Sequence, residues 1–200
     1  MRLLLAAALV CAASVGATAS QELCDAAFDG NHEAVEKSLG NGADVDYPCL
    51  TASGTTTALF FASQDGHTEV VRFLLEAGAD PNTVNHNGVS PLFIAAKENH
   101  DDVVRLLLAE IDPRDSILKS SGSGPLHVAA FFGSTAVVEI LLDDGRLPVD
   151  GLTIEDDTPL HSAASAGQLK IIEALLRHGA DASIAWNGKT PADVASQNGH

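Results

Sequence analysis

TPLHSAA, residues 158–164, sets Thr158, His161 and Ser162 within five positions. Hydroxyls beside an imidazole are the raw material of nucleophilic catalysis. The stretch recurs, however: TALFFAS (57–63), SPLFIAA (90–96), GPLHVAA (124–130) and TPADVAS (190–196) align with it, at successive spacings of 33, 34, 34 and 32 residues. Eight residues beyond the second position of each copy stand Gly66, Asn99, Gly133, Gly167 and Gly199. Four copies continue into an apolar run, VVRFLLEAG (70–78), VVRLLLAEI (103–111), VVEILLDDG (137–145) and IIEALLRHG (171–179). Turns such as GADPN (78–82) and GADAS (179–183) follow. A degenerate copy leads the series, LCDAAFDGN (23–31) and then AVEKSLGNGADVD (34–46).

Each part has a physical role. Thr158 before Pro159 reads as a helix N-cap with proline at the first helical position, where a missing N–H costs nothing. Leu160, Ala163 and Ala164 give a short helix one apolar stripe with small residues for close contact. Gly167 stops that helix. Ile171, Ile172, Leu175 and Leu176 are expected to form the buried face of a second helix, which Gly179 ends. The Asn-Gly pairs at 87–88 and 187–188 suit tight hairpin tips. No such unit can bury its apolar face alone, so the units must stack.

In its period of about 33 residues and its TPLHxAA–G–VVxLLL–GAD order, the chain resembles the ankyrin-repeat family over residues 21–200. The resemblance implies an all-α solenoid of helix pairs with short projecting hairpins or loops, about five and a half repeats long. Expected boundaries are 21–50, 51–84, 85–118, 119–152, 153–185 and a partial 186–200. The last copy breaks off after its first helix. It is either a sufficient cap, or continued by another chain, or a truncation.

Composition agrees with helices. Apolar residues are 46% of the chain but aromatics only 4%, so the apolar mass is Ala, Leu and Val. A net charge of −16 repels phosphate backbones and anionic lipid heads, which argues against nucleic acid as a partner. The N-terminus reads differently. MRLLLAAALVCAASVGATAS carries Arg2, an apolar run from Leu3 to Ala13 and small residues ending Ala17-Thr18-Ala19, the pattern of a secretory signal peptide cut after Ala19. The apolar run is short for a bilayer span of roughly 20 residues. Val10 before Cys11 is bulky for a lipoprotein site. Residues 1–19 are thus expected to be removed and 20–200 exported as a monomer, to a secreted, periplasmic or lumenal compartment. The rival is an intracellular adaptor with an uncleaved N-terminus.

The internal comparison also weighs the chemistry. Phe60, Phe93 and Asp193 stand where His127 and His161 stand, and a catalytic base would not be interchangeable with phenylalanine. No hydrolase site is expected, nor any cofactor or metal, since the other histidines lack ligand spacing. In the family resembled, the histidine bonds backbone at the junction to the next hairpin. Cys24 occupies that register in the first repeat and Cys49 leads into the following hairpin. A Cys24–Cys49 disulfide is therefore expected in an exported chain, pinning a weak first repeat by about 3–4 kcal/mol; a cytosolic chain would instead keep two buried thiols. In the same family, partners meet the hairpin tips and the exposed face of the first helices, a concave surface. Adjacent Phe131 and Phe132 are the expected hot spot there, the alternative being that one ring tucks under a neighbouring helix. His86, Ile154 and Trp186 are the large tip residues. Asp29, Asp65 and Glu98 suit a basic protein partner.

Overall fold

The computed structural model describes residues 18–52 and 54–200. The signal-peptide expectation thus lies outside the described residues, apart from its last two positions. Among the described residues eleven α-helices run in order: α1 (18–28), α2 (His32–Gly40), α3 (Ala58–Gln64), α4 (Thr68–Glu76), α5 (Pro91–Lys97), α6 (Asp101–Glu110), α7 (Pro125–Phe132), α8 (Thr135–Asp144), α9 (Pro159–Ser165), α10 (Leu169–Arg177) and α11 (Pro191–Gln197). From α3 to α11 the odd-numbered helices pack in sequence order, α2 to α10 form a second row, and each pair is also joined across the rows. One core runs between the rows and carries the repeated registers. Leu23, Leu59, Leu92, Leu126 and Leu160 come from the first row. Val71, Leu74, Val104, Leu107, Val138, Leu141 and Leu175 come from the second.

Local chemistry starts each short helix. Thr57, Ser90, Thr158 and Thr190 accept the N–H three residues on with their side-chain oxygens, and proline follows the last three of them. Only one of the expected hairpins is a two-stranded sheet among the described residues: β1 (Cys49–Thr51) antiparallel to β2 (Gly54–Thr56), with Leu50 opposite Thr55. At 187–188 both central residues have positive φ and Trp186 and Lys189 exchange backbone bonds, a two-residue turn. At 87–88 only Gly88 does, and Asn85 bonds Val89 across a wider loop.

Neighbouring repeats are also joined by a periodic ladder at the helix stops. His67 Nε2 meets Phe28 O (3.1 Å), His100 Nε2 meets Gln64 O (2.9 Å), Ser134 Oγ donates to Lys97 O (3.4 Å) and Gln168 Nε2 donates to Phe131 O (3.4 Å). The stop residue must let the next repeat's side chain through. A Cβ built on Gly66, whose φ is 75°, would stand 2.4 Å from His100 Nδ1. At the one stop with a side chain, Asn99 (φ 64°), the residue that the next repeat sends to the ladder is the small Ser134 instead of a histidine.

The second helix of the fifth repeat departs from expectation. Ile171 and Leu175 are buried, but Ile172 is only half-buried and Leu176 is 44% exposed. Their counterparts Val138 and Leu142 are 0% and 8% exposed because α10 packs against α8, whereas among the described residues no second-row helix packs on the far side of α10. At the other end residues 18–20 are already helical, so the expected cut after Ala19 falls inside α1. Ala19 and Ser20 are buried, and Ser20 Oγ accepts the Asp44 N–H (3.0 Å).

Candidate partner-binding surface

The TPLHSAA histidine is committed on both sides of its ring. His161 is 1% exposed, and its Nδ1 accepts the Thr158 N–H (3.3 Å) and lies 2.9 Å from Thr158 Oγ1. With Nδ1 an acceptor, Nε2 carries the proton and donates to Lys189 O (3.2 Å), the residue before the next helix cap. Ser162 Oγ points away from the ring and donates to Asp157 Oδ2 (3.3 Å), so no serine–histidine pair forms. In the last copy Asp193 Oδ2 accepts both the Thr190 N–H (2.9 Å) and its hydroxyl (2.7 Å), which holds the carboxyl below the usual range. His127 caps Gly124 through Nδ1 (3.3 Å), but its buried Nε2 lacks a hydrogen-bond partner. Burial pushes its pKa down, against a weaker upward pull from Asp157. At His161 the register thus joins the helix cap to the following loop, while His127 and Asp193 bond the cap of their own helix.

The exposed chemistry lies at the ends of the first helices. Phe131 and Phe132, 46% and 53% exposed, meet edge to face with centroids 5.2 Å apart. The Gln168–Phe131 O bond fixes the backbone beneath them. Lys97 Nζ stands 5.0 Å from the Phe132 ring centroid and 2.6 Å from Glu98 Oε1. The expected tip residues sit on three separate loops. His86 is exposed over Gly54, and its N–H donates to Thr55 O (3.1 Å). Ile154 is 68% exposed, and its N–H donates to Ser121 O (2.9 Å). Trp186 projects less than its tip position suggests. It is half-buried, edge-on to His161 at 6.2 Å, with its indole nitrogen buried and without a partner.

Sequence reasoning passed over a second surface at the N-terminal end. Phe28 and Phe61 meet edge to face at 5.5 Å, beside a cavity of about 380 Å³ that Asp25, Asp29 and Leu50 also line. A second cavity of about 220 Å³ shares Phe61 and reaches Gln64, His86 and Ile94. The signal was available only in part: Phe28 belongs to the same stop register as Phe131, but Phe61 and Leu50 lie in other registers. The wall of the first cavity includes Cys24 and Cys49, whose Cα atoms are 5.8 Å apart with the sulfurs at bonding distance. Among the described residues no group of three or more His, Cys, Asp or Glu is placed to hold a metal ion, and no helix is long and apolar enough to cross a membrane.

Stacked helix pairs, loop-to-loop joints and one solvent-facing row of first-helix ends define a helix-pair repeat protein. A family model described as ankyrin repeats matches it in three copies, over residues 23–117, 77–150 and 126–200, and the chain belongs to the ankyrin-repeat family. That family marks it as a protein–protein interaction module. It is also similar to a human protein, the 26S proteasome non-ATPase regulatory subunit 10, at 34% identity over 76 residues, 38% of this chain. The matched stretch spans 33% of that relative's length.

Proposed function

We propose that the chain is an exported, non-catalytic, monomeric binding module that holds a basic protein partner against its first-helix ends and loop tips. The exposed Phe131–Phe132 pair carries this reading: two rings held edge to face on a fixed backbone are the kind of rigid apolar anchor that dominates binding energy. Ile154 and His86 supply further exposed contact area, Trp186 a half-buried edge, and Asp29 and Asp65 the negative charge. Export is supported by the signal-like N-terminus and by the juxtaposed Cys24 and Cys49, which an oxidising compartment would join. One observation favours an uncleaved intracellular adaptor instead: the expected cut lies within α1, beside buried Ala19 and Ser20. Cleavage there has to precede folding of that helix.

Two measurements test the proposal. A display library of random decapeptides selected on the full chain should yield binders that Phe131→Ala with Phe132→Ala abolishes at unchanged melting temperature. Binders indifferent to that change would refute the anchor. N-terminal sequencing of the natural protein decides export, a start at Ser20 supporting it and an intact Met1 sinking it.

A further inference from the structure

The middle of the first-helix row shows a closed trio made by the chain itself. Lys97 is the cation, the Phe132 ring its apolar face and the Glu98 carboxylate its counter-charge, at 5.0 Å and 2.6 Å. Two of the three parts recur at the N-terminal end. Phe28, 52% exposed, and Phe61 supply an aromatic wall, and Asp25 and Asp29 are exposed carboxylates on the same cavity. Among the described residues no lysine, arginine or histidine lines that cavity, and none forms an ion pair with either aspartate. Among the described residues the Asp25 carboxylate accepts an amide N–H, from Gln21 Nε2 at 3.1 Å. The cation is the missing part.

We infer that this cavity takes a lysine or arginine side chain from an extended segment of the partner, with an apolar neighbour of that residue packed on Leu50. The inference rests on reading this face as the partner surface. A cation is attracted by a ring face and by carboxylates at once, and the open volume of about 380 Å³ admits its long stem. Leu50, 73% exposed on β1, is the apolar shelf beside it. The Cys24–Cys49 contact ties that strand to α1, so the shelf and the carboxylates form one wall. Phe132 cannot serve a partner's cation in the same way while Lys97 occupies its ring.

The test uses the decapeptides retained by the full chain. Retained sequences should be enriched in arginine or lysine next to Leu, Ile, Val or Phe. Replacing the arginine of a synthesised binder by citrulline, which keeps shape and removes charge, should weaken it by about tenfold or more. Asp25→Asn with Asp29→Asn should do the same at unchanged melting temperature, and added salt should weaken the parent peptide but not the citrulline one. Binders without cations, or a citrulline peptide within about twofold of its parent, would overturn the inference. Loss of binding in the Phe131→Ala, Phe132→Ala chain but not in the Asp25→Asn, Asp29→Asn chain also overturns it and leaves the partner surface standing. No retained peptide, or none affected by either pair of changes, removes both.

Discussion

Replacing Gly66 by asparagine tests whether the repeats are locked by side chains passing over their neighbours' helix stops. Asparagine is chosen because Asn99 shows that it holds a positive φ at this register, so backbone strain is small. The penalty then comes from the new Cβ, which would stand 2.4 Å from His100 Nδ1 and forces the ring aside. Displacing the ring breaks the His100 Nε2–Gln64 O bond of 2.9 Å, worth about 1 kcal/mol, and loosens packing by a similar amount. Gly66→Asn should therefore cost about 2–3 kcal/mol. His100→Ser alone should cost about 1 kcal/mol, since Ser134 shows that a hydroxyl still reaches the carbonyl below, at 3.4 Å. Together the two changes recreate the Asn99–Ser134 pair, and the double variant should also lose only about 1 kcal/mol. That is a coupling of about 2 kcal/mol, within the range for residues in contact.

The assay is urea unfolding of the four chains followed by far-UV circular dichroism. Repeat arrays can unfold in stages, so the midpoints are compared as well as the extrapolated energies. If the two single costs simply add, to within about 0.5 kcal/mol, the interlocking is refuted, and the glycine is there for its backbone alone.

Three further outcomes follow from the same geometry. Burial lowers the folded-state pKa of His127, so as pH falls below the unfolded value of about 6.5 the unfolded chain takes the proton first and stability is lost until the folded group protonates. His127→Phe should flatten the fall in stability between about pH 6.5 and 5, and an unchanged slope would show that this buried ring is not the source; His178, whose pKa the Ala174 carbonyl and Asp143 raise, contributes the opposite sign and is common to both chains. His161→Phe should cost about 1–2 kcal/mol and His161→Ala about 3 kcal/mol, and both should alter the emission of the single tryptophan, Trp186, which packs edge-on to that ring; emission identical to wild type would contradict the packing. Breaking the Cys24–Cys49 bond by serine substitution should cost about 3–4 kcal/mol and raise hydrogen exchange in α1 and α2 but not in α7 to α9, whereas a uniform rise would mean that the first repeat is not a separate weak unit.

What could be read from the sequence was whatever repeats within one copy. Caps, stop residues and core leucines recur at fixed offsets, and the histidine register could be cleared of catalysis because Phe60 and Phe93 share it. The partners of those registers were harder to see, because each contact joins one copy to the next. His67 and His100 stand at equivalent positions of two copies in the sequence, yet their bonds to Phe28 O and Gln64 O, and the Ser134–Lys97 O bond beside Asn99, exist only once copies are stacked. Burial of α10 was overestimated at Ile172 and Leu176 for the same reason, since the pattern of a run does not say whether a neighbour covers it. The binding face shows the difference most clearly. By sequence, Phe131 and Phe132 stand out because they are large and adjacent, while Phe28, Phe61 and Leu50 are scattered over three elements. In space the order of interest changes. Lys97 and Glu98 already complete the surroundings of Phe132, and Phe28 and Phe61 sit with Asp25 and Asp29 on a cavity that no lysine, arginine or histidine among the described residues lines. A partner gains most where an attractive arrangement is incomplete, so the N-terminal cavity should govern which segments bind, and the Phe131–Phe132 pair how tightly they are held.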